Sequence, residues 1–318
     1  MGMKAMQTTD FHCDVLWKLL ENKQLSFVND TSNKLDVTLP RLMDARSVLQ
    51  TFAIYIPDEM EKSMVPILQS IDLFNRKVLT APGVTFVRTS QDAAKLIHRG
   101  SIGAMLSLEG ADGLQGDPAM LRILYKLGVR AIGLTWNHAN WAADGVLEPR
   151  QGGLTKKGMA IVEECNSLDI LVDVSHLCEQ SFWDVVNKST KPLLASHSNM
   201  RSVCNHPRNL TDDQARAMIA MDGLIGLTFV PQFVSSGGAA TIDDVLKHVE
   251  HLCELGGKDH LMFGSDFDGI DNHVIGLSHP GEVNNLMEAL LQGYPEQQVK
   301  AFFVDNTIGF LTKHLPKE

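Results

Sequence analysis

Asp10-Phe11-His12-Cys13-Asp14 is the stretch from which the rest of the chain is read. Thr8, Thr9 and Phe11 favour a pleated backbone, so the run reads as a strand. Strand side chains alternate faces, which sends the His12 imidazole and the Asp14 carboxylate one way and Cys13 the other. A neutral nitrogen and an anionic oxygen aimed at one point suit a divalent transition metal. Alone, the pair reads equally well as a cap and a buried imidazole. What decides between them is how the later strands end.

Strand-like apolar runs recur at 47–56, 103–109, 129–135, 170–175, 192–196, 224–229 and 260–265. Helical spacing fills the intervals at 15–20, 64–79, 117–127, 155–168 and 179–188. A capping box at Thr211-Asp-Asp-Gln214 opens a further helix, and Ile242, Val245, Leu246, Val249 and Leu252 form a clear stripe behind Thr241. Two more helices are expected near 281–292 and 296–304. Residues 21–41 read as a loop excursion, and 137–153 as a loop rich in Gly, Asn and Asp. Eight strands alternating with helices predict a parallel sheet, because each parallel connection needs a crossover. Eight such repeats in about 260 residues is the size of an α/β fold of the (β/α)8 TIM type. An open doubly wound sheet would carry a Gly-rich phosphate loop after its first strand, and none stands there. With no repeat, low-complexity tract or linker, residues 1–318 are expected to form a single (β/α)8 domain.

The net charge of -10, without a basic run, disfavours nucleic acid and anionic membrane as partners. Five scattered cysteines without a CxxC fit a reducing compartment. The start, Met1-Gly2-Met3-Lys4-Ala5-Met6, lacks the apolar core of a signal peptide and departs from the myristoylation pattern at Met6. No apolar run approaches the roughly 18 residues of a membrane span. The expectation is a cytoplasmic protein.

Active sites of such barrels lie at the C-terminal strand ends. Read in turn, those ends carry His12 and Asp14, Glu109, Trp136 with His138, His176, His197 and Asp266. Five of these, on strands one, three, five and six, would be costly to bury together without a cation. Five ligands exceed what one tetrahedral zinc requires, whereas two metals about 3.5–4 Å apart, bridged by a carboxylate, accommodate them. His98, His248, His251 and His314, in helical or terminal segments, read as surface residues, and His260 opens a strand at the opposite end. His206, His273 and His279 fall in loops.

Six segments match a known family in its order. They are Asp10-Phe-His-Cys-Asp14, Ser107-Leu-Glu-Gly110, Asp173-Val-Ser-His176, Ser196-His197-Ser198, Asn205-His-Pro-Arg-Asn-Leu210 and Gly264-Ser-Asp-Phe-Asp-Gly269. In them the chain resembles the membrane (renal) dipeptidases and their bacterial relatives, within the amidohydrolase-like metallohydrolase barrels. The resemblance implies two zinc ions (Zn2+) per chain, one held by His12 and Asp14, the other by His176 and His197, with Glu109 bridging both. It implies a metal-bridging water as nucleophile and Asp266 as the proton-transfer carboxylate, while Asp268 reads as a loop cap. Arg208 matches the arginine that pairs with the substrate's terminal carboxylate. The implied substrates are dipeptides, including those with a D-residue at the C-terminal position, and the implied assembly is a homodimer.

One departure stands out. Mammalian members place a carbonyl-contacting histidine directly after the Leu-Thr run, where this chain has Leu134-Thr135-Trp136-Asn137-His138. Either His138 reaches in or Trp136 reshapes the subsite, and the reading favours His138. The run Phe229-Val-Pro-Gln-Phe233 also lacks a tyrosine found in some relatives. The alternatives are an amidohydrolase acting on an N-acyl amino acid, lactone or cyclic amide, and a non-catalytic zinc-binding barrel. No lysine stands at 134–140, which favours a Glu bridge over a carboxylated lysine.

Overall fold

The computed structural model describes residues 6–317, so residues 1–5 of the amino-terminal run considered above lie outside the described residues. Nine strands are present among the described residues: β1 (Thr8–Asp10), β2 (Ser47–Tyr55), β3 (Val84–Phe86), β4 (Ile102–Glu109), β5 (Val129–Gly133), β6 (Leu171–Asp173), β7 (Leu194–Ala195), β8 (Leu224–Leu227) and β9 (Leu261–Phe263). All pair in parallel, in the order β1-β2-β4-β5-β6-β7-β8-β9, with β3 on β4. The last strand returns to the first: Phe11 N donates to Phe263 O at 3.0 Å and Asp14 N to Phe267 O at 2.9 Å. Eight strands therefore close into a (β/α)8 TIM-type barrel, as the strand–helix alternation predicts.

Three elements differ from the sequence expectation. Strand β3 and the helix Ser90–Arg99 lie between the second and third predicted strands, where the sequence pattern predicts neither. β3 fills the lower edge of β4 (Val84 beside Ile102, Phe86 beside Ala104), below the level where β5 begins at Leu106–Val129. At three half-buried residues it is too short to show a period of two. The 21–41 excursion is packed rather than superficial, since Phe27, Leu35 and Val37 are buried and the helix Leu39–Asp44 starts within it. Phe52 of β2 sits edge-on to both Phe27 and Phe74, each at 5.7 Å between centroids. Asp268 ties this cover to the barrel by accepting Asp36 N at 2.8 Å and Val37 N at 2.9 Å.

His248 corrects the surface reading: it is 0% exposed. It stands on the helix Ile242–Glu254 among Val245, Val249 and Leu252, the inward face at three- and four-residue spacing. Its Nδ1 accepts Met200 N at 3.1 Å and its Nε2 meets Val234 O at 2.9 Å. Both nitrogens are satisfied, which is what makes a buried imidazole tolerable.

Candidate metal centre and active site

The short β6 and β7 stop where Asp173 intervenes. Its Oδ1 accepts Ser175 N and Ser196 N, each at 3.0 Å, so these two amides bond the side chain rather than a strand neighbour. The chain beyond then delivers His176 and His197 to the barrel mouth. On the other side the loop after β1 brings His12 and Asp14, β4 ends in Glu109, and the turn after β9 brings Asp266.

His12 Nε2 is 3.6 Å from each of Asp14 Oδ2, Glu109 Oε2 and Asp266 Oδ1. Glu109 turns its other oxygen the opposite way, with Oε1 at 2.7 Å from His176 Nε2 and 3.7 Å from His197 Nε2. The two histidine Nε2 atoms are 2.8 Å apart. Two three-donor groups result, His12–Glu109–His197 and His12–Asp14–Asp266, each with its ligand atoms within 4.8 Å of one another. The structure thus brings together all five residues expected as metal ligands, and Asp266 with them.

The donor set fits divalent cations. His12 Nε2 and Asp14 Oδ1 are buried without a hydrogen-bond partner. His176 Nδ1 lies 3.0 Å from Asn137 Oδ1, and His197 Nδ1 lies 2.7 Å from Ser196 Oγ. With the Nδ1 protons so engaged, both Nε2 lone pairs point inward against each other and against Glu109 Oε1. Such crowding of electron-rich atoms favours positive charge among them.

The electrostatics of the three histidines differ. Burial lowers the pKa of His176 to about 4, with Arg208 adding to the effect, and burial with His12 and Arg208 holds His197 well below the usual value. Both shifts favour the neutral ring, the coordinating form. Burial opposes charge on His12 too, but Glu109 and Asp14 outweigh it and raise its pKa well above normal. Burial resists charge on Glu109, yet His12 and His176 hold it well below the usual range. Burial raises Asp14, and raises Asp266 to about 8, where the attraction of His12 is opposed by repulsion from Asp14 and Glu109.

Asp266 adopts φ 67°, the left-handed region that non-glycine residues rarely occupy. Asp266 N donates to His12 O at 3.2 Å, and Gly269 N donates to Asp266 O at 3.0 Å. Gly269 closes the turn: a Cβ there would lie 2.3 Å from Asp14 Oδ2 and 2.7 Å from Asp266 Oδ1.

A cleft of about 280 Å³ opens over the centre. Asp14, Glu109, His176 and Asp266 line it together with Trp17, Tyr55 and Trp136. Those three aromatics form a chain, with centroids 5.6 Å apart for Trp17–Tyr55 and 5.2 Å for Tyr55–Trp136. Arg208 also faces the cleft, 5.4 Å above the Phe233 ring and 4% exposed. Its Nη1 donates to Ser175 O and its Nη2 to His176 Nε2 at 3.1 Å, while Nε has no partner. Burial brings it down to about 10, with Asp266 and Glu109 favouring its charge.

His138 is not brought to this site. It is exposed and absent from the cleft lining, whereas Trp136 and Asn137 line it. Leu147 N donates to Asn137 O at 2.8 Å, folding the loop back at Asn137 and leaving the next residue on its outer side. Gly145 packs against the same peptide, where a Cβ would fall 2.5 Å from Trp136 O. Sequence reasoning missed Asn137, Trp17 and Tyr55. Asn137 is adjacent to the expected position; Trp17 lies on a helix and Tyr55 ends a strand, where aromatics usually mean core.

A parallel barrel whose strand ends gather histidines and carboxylates around a shared glutamate is a metal-binding TIM-type barrel. The chain belongs to the membrane dipeptidase family (peptidase family M19), whose sequence pattern it matches over residues 3–313. Among solved structures it resembles the dipeptidase AC, a metallopeptidase of family M19, with TM-score 0.92 and 27% identity over 98% of this chain and 99% of the other. It also resembles a metallopeptidase from Rhodobacter sphaeroides, liganded with a phosphinate mimic of the dipeptide L-Ala-D-Ala, with TM-score 0.90 and 26% identity over 98% and 100% of the two chains. The dipeptidase aclJ of Aspergillus oryzae is 31% identical over 80% of this chain, which spans 64% of that relative's length. No helix among the described residues is long and apolar enough to cross a membrane.

Proposed function

We propose that this chain is a binuclear zinc dipeptidase that hydrolyses the one amide bond of dipeptides with a free carboxylate, L-Xaa-D-Xaa included. The observation that carries the reading is Glu109, whose two oxygens face His12 on one side and His176 with His197 on the other. His12 and Asp14 would hold one zinc ion, His176 and His197 the second, with Glu109 shared. Bound there, the ions would supply Lewis acidity, polarising the scissile carbonyl and bringing a water toward ionisation near neutral pH. Asp266 takes the water's proton on a carboxylate oxygen and passes it to the leaving amine. Arg208 receives the substrate carboxylate, which its partnerless Nε and buried, planar guanidinium support. Trp136 and Asn137, not the exposed His138, lie where the substrate would pass. The L-Ala-D-Ala mimic held by the Rhodobacter relative supports tolerance of a C-terminal D-residue. Five free cysteines, four of them buried, support a reducing, cytoplasmic setting.

The test is metal analysis coupled to a panel of L,L and L,D dipeptides. Two zinc ions per chain and chelator-sensitive cleavage are expected; a metal-loaded protein that cleaves none of the panel overturns the reading. The second reading, an amidase or lactonase of the same fold, separates at Arg208. Arg208→Ala should raise KM for dipeptides by roughly 10–100-fold, the cost of about 1.5–3 kcal/mol for a charged hydrogen bond. It should raise KM far less for substrates without a carboxylate, and Arg208→Lys should restore little.

A further inference from the structure

The two histidines of the second half-site have unequal supports. His176 leans on the neutral amide of Asn137. His197 leans on Ser196 Oγ, and Ser196 Oγ in turn donates to Asp173 Oδ2. Ser196 has a single hydroxyl proton. Once that proton is given to Asp173, its oxygen can only accept from His197 Nδ1–H. Asp173 is itself immobilised: Oδ1 accepts Ser175 N, Ser175 Oγ at 2.8 Å and Ser196 N. Ser175 Oγ, having donated to Asp173, accepts His197 N at 3.1 Å. The carboxylate thus governs both the backbone and the ring of His197, although it bonds neither directly and does not line the cleft.

We propose that Asp173 and Ser196 are positioning residues, forming a carboxylate–hydroxyl–imidazole relay that locks His197 in its Nδ1–H tautomer and raises the affinity of the second half-site for zinc. The metal part of this inference rests on the function proposed above; the tautomer part does not. Supports of this kind typically set metal affinity by roughly 10–100-fold. The relay is selective for one ring, because Asn137 serves His176 independently.

The test uses the full chain, wild type and Ser196→Ala, with Ser196→Thr as the variant that keeps the hydroxyl. In metal-free protein, nitrogen-15 NMR of the histidine side chains should show His197 as Nδ1–H in wild type and Ser196→Thr, and a mixture or the Nε2–H form in Ser196→Ala. Competition with a zinc chelator should show one of two sites weakened roughly 10–100-fold in Ser196→Ala, the other unchanged, and near-recovery in Ser196→Thr. Equal melting temperatures of the metal-free proteins would separate this from a general packing defect. An unchanged tautomer in Ser196→Ala overturns the relay. A changed tautomer with both zinc affinities intact overturns its role in binding. A wild type that binds no zinc overturns the proposed function and leaves the relay without its metal, whatever the tautomer.

Discussion

Asp266 shows how far a single residue's backbone can be bent to serve its side chain. Its left-handed φ costs energy that only surrounding structure can offset, and the turn to Gly269 provides the restraint. Asp266→Asn keeps the shape but cannot accept a proton; kcat should fall by roughly 10²–10⁴-fold with zinc content unchanged, measured by steady-state kinetics beside metal analysis. Gly269→Ala acts differently. Its Cβ would overlap the Asp14 and Asp266 oxygens, so it should lower zinc content and activity together while the far-ultraviolet circular dichroism stays native. His12→Ala removes one of the two residues proposed to hold the first zinc ion alone. One zinc should leave more readily than the other in stepwise chelation, and joint loss of both would show that the ligands divide otherwise.

At the scale of elements, the loop 137–153 carries the cleft wall. Asp144, buried within it, accepts Arg150 Nε at 2.8 Å and Gly152 N at 2.6 Å, while Val146 N donates to His176 O at 2.9 Å. The Arg150 hydrogen bond holds the Asp144 carboxyl below its usual range, with burial opposing and the Gly152 amide assisting. A lowered folded pKa means stability that is complete above the unfolded value near 3.9 and is lost as pH falls through the folded value. Asp144→Asn should therefore lower the melting temperature at pH 7, and that difference from wild type should shrink as pH falls below the ordinary carboxylate range; a constant difference across pH would count against the pair. The same loop marks the limit of what the sequence disclosed. Strand ends bearing His12, Glu109, His176 and His197 were legible because each follows an apolar run whose alternation fixes the inward face. His138 was not, because a loop has no such period and its direction depends on Gly145 and Leu147, farther along the chain. β3 was hidden by its length. His248 was hidden because a histidine at an inward helical position looks polar until both its partners are known.

For the whole molecule, closure of the barrel and assembly of the site are one event. The seam joins β1 to β9, and there Ser265 N donates to Asp10 Oδ1 at 2.9 Å, across 255 positions of sequence. Zinc bound by residues on both sides of that seam should stabilise the fold by mass action, roughly 4 kcal/mol at 1,000 times its dissociation constant. Chelation should lower the melting temperature and speed amide exchange first around residues 10–14 and 264–269; uniform acceleration would contradict this. Phe52→Ala, which empties the contact between Phe27 and Phe74, should cost about 3–5 kcal/mol and lower stability with or without metal.

That seam also sets a clock on the ribosome. His12 and Asp14 leave the ribosome well before Asp266 and the β9 strand that faces them. Until then the early ligands have neither their opposite wall nor their final partner, and a nascent chain stalled before residue 260 should hold zinc no better than an unfolded peptide. Metal capture would thereby wait until β9 has been made, and a bound ion would report that this strand has docked against β1.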